Sequence, residues 1–139
     1  MQKFIWKEEY SVGVASIDEQ HKNFFRITND LIDLIERPDM APEDCIAIAR
    51  ELEHYAVYHL TTEERYFHEL SYPHTAEHIR EHDHYRDKVR VLLAQLETNP
   101  EETKVLAEEL ANFSITWLSN HILLSDKKYS AFFERHGVH

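Results

Sequence analysis

Three short breaks divide this chain into four long stretches with apolar residues at three- and four-residue spacing, a pattern that leaves few folds open. The first stretch runs from about Ile17 to Arg37, with Ser16 and Glu19 spaced as a capping box and Pro38 closing it. The second opens at Pro42, a favoured first-turn residue, and continues to about Leu70. Ser71-Tyr72-Pro73 turns the chain into a third stretch, about Thr75 to Glu97. Asn99 and Pro100 read as an N-cap and first-turn proline for a fourth, lasting to about Glu134. No strand-like alternation competes, and with only 2 Gly and 4 Pro in 139 residues helix is the expected regular structure. Long helices with short connections favour antiparallel neighbours. The sequence therefore predicts an all-α, up-down-up-down four-helix bundle, a single domain over residues 1–139, with an irregular N-terminal arm over residues 1–15. Phe4, Ile5, Trp6 and Tyr10 of that arm are expected to pack across one end of the helices.

Each stretch carries a core stripe, and the stripes are not purely apolar. The first gives His21, Phe25, Thr28, Leu31 and Ile35; the second gives Leu52, Ala56, His59, Glu63, Tyr66 and Leu70. The third gives His78, His82, Tyr85, Val89, Leu92 and Leu96; the fourth gives Leu106, Leu110, Phe113, Trp117, His121 and Leu124. Ligand-type side chains thus hold core positions in all four. A buried polar group without a partner is costly, so several meeting in one core require a common partner. Neutral imidazole is the commonest metal ligand among side chains, and the chain has 11 histidines.

Helical phase and height along the bundle sort those histidines. His84 lies two residues beyond His82, which turns it by about 200° to the far side of its helix. His54, five residues before His59, is about 140° away from it. Both are expected to face solvent. In an antiparallel hairpin, residues equally far from the turn sit at one level. His59 and Glu63 lie about eleven residues before Tyr72, and His78 with His82 matches them beyond it. The alternative pair, His74 and His78, has the same spacing but sits nearer the bundle end. Reflection through the other two breaks brings His21 and His121 to the same layer.

The candidate donors are therefore His21, His59, Glu63, His78, His82, His121 and Asp126. Asp126 is five residues from His121, which aims it elsewhere unless the helix distorts; a bridging role between two metals accounts for that offset. Five imidazoles and two carboxylates exceed the four ligands of a tetrahedral zinc. They suit two first-row metals with bridging carboxylates and an open position. Taken singly, a His and a Glu or His four residues apart arises often by chance. Convergence of four helices on one level is the signal.

Composition narrows the partners. A formal charge of −11 argues against nucleic acid or an anionic membrane. No apolar run is long enough to span a bilayer, and the start, "MQKFIWKEEY", is too charged for a signal peptide. A single cysteine, Cys45, excludes an intramolecular disulfide, reads as a small packing residue and suits a reducing cytoplasm, the expected location. Glu64 and His68 read as a surface pair, His74 as a first-turn residue, and His136 and His139 as tail residues.

At this point the chain resembles the hemerythrin family, in its bacterial single-domain form (the bacteriohemerythrins). The resemblance rests on "VGVASIDEQH" ending at His21, "HLTTEE" from His59, "YPHTAEHIREH" ending at His82, and "WLSNHILLSDKKY" with His121 and Asp126. All seven ligand positions of the family pattern are filled. The resemblance implies a non-haem di-iron centre with one iron on His78, His82 and His121 and the other on His21 and His59. Glu63 and Asp126 would bridge them beside an oxo or hydroxo group. It implies reversible dioxygen binding, as carrier or store, with O2 held as hydroperoxide on the five-coordinate iron. Nitric oxide, and small anions in the oxidised form, are further implied ligands. The family's apolar oxygen pocket maps onto Leu60, Trp117, Leu118 and Ile122, with Phe24 added where a smaller aliphatic residue is more usual. Trp117 and Leu118 also read as plain core packing.

Two other functions are set against the carrier. A ferritin-like di-iron oxidase or ferroxidase is suggested by Glu51 with His54 and Glu81 with His84, each pair three residues apart. Phase takes His54 and His84 out of the core, and the additional Glu expected on each remaining helix is missing at the right level. No catalytic residue is expected. The second is a sensor of O2, redox state or nitric oxide. Nothing resembles an output domain and the chain reads as complete from Met1 to His139, which favours the carrier and leaves a protein partner unidentified.

Overall fold

Prolines and a left-handed residue end the helices at the breaks the sequence marks. In the computed structural model, which describes residues 1–139, the rods are Ala15–Ile35 (α1), Pro42–Leu70 (α2), Thr75–Thr98 (α3) and Thr103–Asn120 (α4). A π-helical turn, His121–Asp126, carries α4 on into Lys127–Arg135 (α5), so these last three pieces form one rod. The protein contains no strand and is an all-α four-helix bundle. α1 and α3 each pack against α2 and α4 and face one another across the diagonal, as up-down-up-down connectivity requires.

α2 ends at Ser71, whose φ of 54° and ψ of 50° place it in the left-handed region that commonly terminates helices. The Tyr72 N–H then returns to the Phe67 carbonyl at 2.9 Å and satisfies one orphan carbonyl of the last turn. Asn99 does not cap α4 as expected. A 3₁₀ turn, Pro100–Glu102, leads into that helix, and the Asn99 amide instead donates back to the Gln95 carbonyl at 3.2 Å, closing α3.

The expected capping box at Ser16 and Glu19 is also absent, because α1 has already begun at Ala15. Gly13, at φ 76°, turns the chain there, a backbone angle that favours glycine. Ser11 Oγ and the Val12 N–H donate to the Asp18 carboxylate at 2.5 and 2.9 Å, so the arm rather than a neighbouring side chain ties down the helix start. The arm runs along α1 instead of across the bundle end. Phe4 stacks on Phe25 at 3.6 Å, Tyr10 meets the same ring edge-on, and Asn29 both accepts from the Phe4 N–H and donates to its carbonyl. Ile5, expected to pack, is 70% exposed, since alternate residues of an extended arm point away from the surface they lie on.

Candidate metal centre

The two halves of the bundle interior differ in kind. Around Leu31, Leu52, Leu92, Leu96, Leu106 and Leu110 the core is apolar, whereas the other half buries His21, His59, Glu63, His78, His82, His121 and Asp126, none more than 3% exposed. All seven expected donors are brought together. His54, His74 and His84 are exposed, which removes the alternative His74–His78 pair and the oxidase-type pairs. Cys45 is buried as expected.

The carboxylates are shared between two groups of imidazoles. Asp126 Oδ1 lies 2.9 Å from His78 Nε2 and 3.0 Å from His121 Nε2, while its Oδ2 lies 3.1 Å from His21 Nε2. Glu63 Oε1 lies 3.1 Å from His82 Nε2 and 3.7 Å from His78 Nε2; its Oε2 lies 3.7 Å from His59 Nε2 and 3.8 Å from His21 Nε2. Each carboxylate thus turns one oxygen to a three-imidazole group and the other to a two-imidazole group. Within either set the ligand atoms lie within 4.8 Å of one another.

A distorted helix makes the fifth position possible. In a regular α-helix Asp126 would point away from His121, but residues His121–Asp126 form a π-helical turn, whose i→i+5 closure returns the fifth residue to the same side. The same shift overturns one core expectation: Leu124 is 66% exposed, while Ser125 and Asp126 face inward. π turns are rare and gather at functional sites.

Whether these residues fit a metal pair is decided by atoms left without partners. His21 Nε2, His59 Nε2, Glu63 Oε1, His78 Nε2 and both Asp126 oxygens are buried with no hydrogen bond. Each such atom costs about 1–3 kcal/mol if left unsatisfied, and all of them face one centre. The donor set is nitrogen-rich with two bridging oxygen pairs, which suits first-row divalent metals. The residues fit.

The comparisons with known proteins agree. Residues 12–133 match the family model described as the hemerythrin HHE cation binding domain. The chain is similar to the bacteriohemerythrin of Clostridium acetobutylicum, 30% identical over 128 residues, 91% of this chain and 98% of the relative. It is 25% identical to the bacteriohemerythrin of Stenotrophomonas maltophilia over 94% of this chain and 81% of the relative. A hemerythrin-like protein of Naegleria gruberi is 27% identical over 91% and 90%. The chain belongs to the hemerythrin family.

Around the hemerythrin-type donors lies a layer that phase and height did not reveal. His59 Nδ1 meets Gln20 Oε1 at 2.7 Å, His82 Nδ1 meets Glu64 Oε2 at 2.7 Å, and His121 Nδ1 meets Glu81 Oε1 at 3.0 Å. Such partners fix the ring orientation and tautomer of metal-binding histidines. Ser125 Oγ, brought round by the π turn, donates to Glu81, and Arg86 pairs with Glu64. Glu64 is therefore not paired with His68: it turns toward α3, where two positive or proton-donating partners outweigh one exposed imidazole. Tyr129 Oη donates to Glu63 Oε2 at 2.5 Å. His82 and Arg86, four apart on α3, share one face, but that spacing does not state that Glu64 of α2 meets it.

Electrostatics in the metal-free protein follow from burial and these contacts. Burial drives His59 down to about 3. Burial also opposes charge on His78 and His121, yet Asp126, helped by Glu63, lifts them to about 9 and about 10. Glu63 and Asp126 are pushed up by burial, but the surrounding imidazoles hold both well below the ordinary carboxylate range. Protons on some of the imidazoles thus balance two buried carboxylates.

The expected oxygen-pocket residues differ in burial. Phe24, Leu60, Leu118 and Ile122 are fully buried, and the Phe24 ring meets His59 edge-on at 6.0 Å. Trp117 is only half-buried and stacks on His121 at 4.3 Å, on the three-imidazole side, beside a surface cleft lined also by Glu81, Phe113 and Leu124. No helix is long and apolar enough to cross a membrane.

Proposed function

We propose that the protein binds dioxygen reversibly at a pair of iron ions and acts as a carrier or store rather than an enzyme. One iron would be held by His78, His82 and His121 and the other by His21 and His59, with Glu63 and Asp126 bridging. The whole of residues 1–139 serves as one unit in this reading, working in the cytoplasm. The observation that supports it is the unequal division of the imidazoles about two shared carboxylates: five protein donors gather on one side and four on the other. The poorer side is where an outside ligand has room to enter. Iron, when bound, supplies the two electrons that dioxygen takes up on binding and returns on release.

The expected oxygen-pocket residues favour binding over turnover. Phe24, Leu60, Leu118 and Ile122 are all fully buried and carry no proton donor, so they exclude the water that would protonate and discharge a reduced ligand. A histidine-rich, carboxylate-poor set also places less negative charge on the metals than the Glu-rich sites of ferritin-like proteins. Less donation disfavours the high oxidation states needed to cleave O–O.

Metal analysis with optical spectra of the reduced, oxygenated and oxidised protein tests this. Two irons per chain and an oxygenated spectrum that reverts under vacuum are expected. Steady peroxide production or release of ferric iron on mixing with O2 overturns the carrier reading.

A further inference from the structure

The Nδ1 partners of the five donor imidazoles are not distributed evenly. On the three-imidazole side, His82 and His121 each face a carboxylate, Glu64 at 2.7 Å and Glu81 at 3.0 Å, while His78 is paired only through Nε2. On the two-imidazole side, His59 faces the neutral amide of Gln20 at 2.7 Å, and His21 Nδ1 is buried with no partner at all. Both carboxylates are held in place: Glu64 by Arg86, and Glu81 by Ser125 Oγ at 2.6 and 2.8 Å. Ser125 reaches Glu81 because the π turn that brings in Asp126 brings it in too.

An anionic acceptor draws the Nδ1 proton toward itself and raises electron density at Nε2, the atom that binds metal. It also adds a negative charge within reach of the cation. A neutral amide orients the ring but does much less of either, and an absent acceptor does neither. Glu64 is largely offset by Arg86, whereas Glu81 has no cationic partner other than His121 itself.

We propose that Glu81, with Glu64, makes the two metal positions unequal: the three-imidazole position binds first and tightly, and the two-imidazole position, backed only by Gln20, binds second and exchanges more readily. This rests on the two-metal reading above. Glu81, Glu64 and Gln20 are positioning residues that act through the imidazoles they touch. The consequence is a firmly anchored metal beside a more electrophilic one, with the difference built outside the donor set.

Titration of the metal-stripped, full-length protein with Co²⁺ tests it, followed by calorimetry and by the shifted, exchangeable imidazole N–H resonances that cobalt reveals. The first equivalent should bring up N–H signals of His82 and His121, and the second that of His59. Glu81→Gln, which keeps a hydrogen-bond acceptor but removes the charge, should weaken the first step by about 10-fold and leave the second unchanged. Gln20→Glu should tighten the second step by about 10-fold and leave the first unchanged. A gain of affinity confined to one step is not something a general loss of structure can imitate. Uptake of two Co²⁺ with both variants moving the two steps together, or with His59 signals appearing first, overturns the inference alone. Uptake of fewer than two overturns the two-metal reading and the inference with it.

Discussion

The two halves of the bundle interior follow one periodicity and obey different economies. Where α1 ends and α2 begins, Leu31, Leu52, Leu92, Leu96 and Leu110 bury apolar surface that needs nothing beyond the chain itself. About two to four turns away, the same inward positions hold five imidazoles and two carboxylates, seven of whose atoms lack a hydrogen bond. The first half is what makes the chain fold; the second is tolerated because a bound cation can satisfy it. Stability and metal content should therefore respond differently to changes in each half.

The largest separation is expected between metal-loaded and metal-stripped protein. At a thousandfold excess over its dissociation constant, each bound metal adds about 4 kcal/mol. Denaturant unfolding with and without a chelator measures it, and equal stability in both would show that the polar half needs no cation. The gap should widen with pH. His78 and His121 stand at about 9 and about 10 in the stripped fold, above the unfolded value of 6.5. Their contribution is thus fully present below pH 6.5 and is lost as pH rises through 9 and 10. The loaded protein, with metal in place of those protons, escapes this loss. A stripped form whose melting temperature held constant from pH 6.5 to 10 would count against the proton-for-metal exchange.

Next in size is a change in the apolar half. Leu110→Ala should remove about 2–5 kcal/mol from loaded and stripped protein alike, through lost burial and the cavity left behind. Metal stoichiometry should stay as it is. A variant that folds but takes up less metal would show the halves to be coupled after all.

That contrast also explains how much could be read from the chain. Helix number, order and six of the seven inward donors follow from spacing, because phase and hairpin height are properties of regular helices. The places where reading failed are those where regularity fails. Asp126 could only be called offset until the π turn at His121–Asp126 explained it, and Leu124 was assigned inward for want of that turn. Capping at Ser16 and Asn99 differs because other groups take the role: the arm residues Ser11 and Val12 hold Asp18, and Asn99 turns back to close its own preceding helix at Gln95. Gln20, Glu64 and Glu81 stayed hidden because an outer partner is defined by which neighbouring helix it meets, and no spacing within one helix states that.

The smallest of these effects is the most informative about where the two halves meet. Tyr129 is fully buried, and its hydroxyl donates to Glu63 Oε2, the oxygen turned toward the two-imidazole group. In the stripped protein that hydrogen bond is one of the few satisfying a buried carboxylate, and bonds to charged groups are worth about 1.5–3 kcal/mol. Tyr129→Phe keeps the ring packing against Phe67 and Phe133, so the change isolates the hydroxyl. Loss of about 2 kcal/mol is expected in the stripped form. With metal bound, Oε2 has a cation to satisfy it, and the same substitution should cost less than about 1 kcal/mol. Unfolding curves of the two proteins in both forms give the four numbers required. An equal loss in both forms would mean that Glu63 is no better satisfied with metal than without it, and the division between a self-sufficient half and a cation-dependent half would not stand.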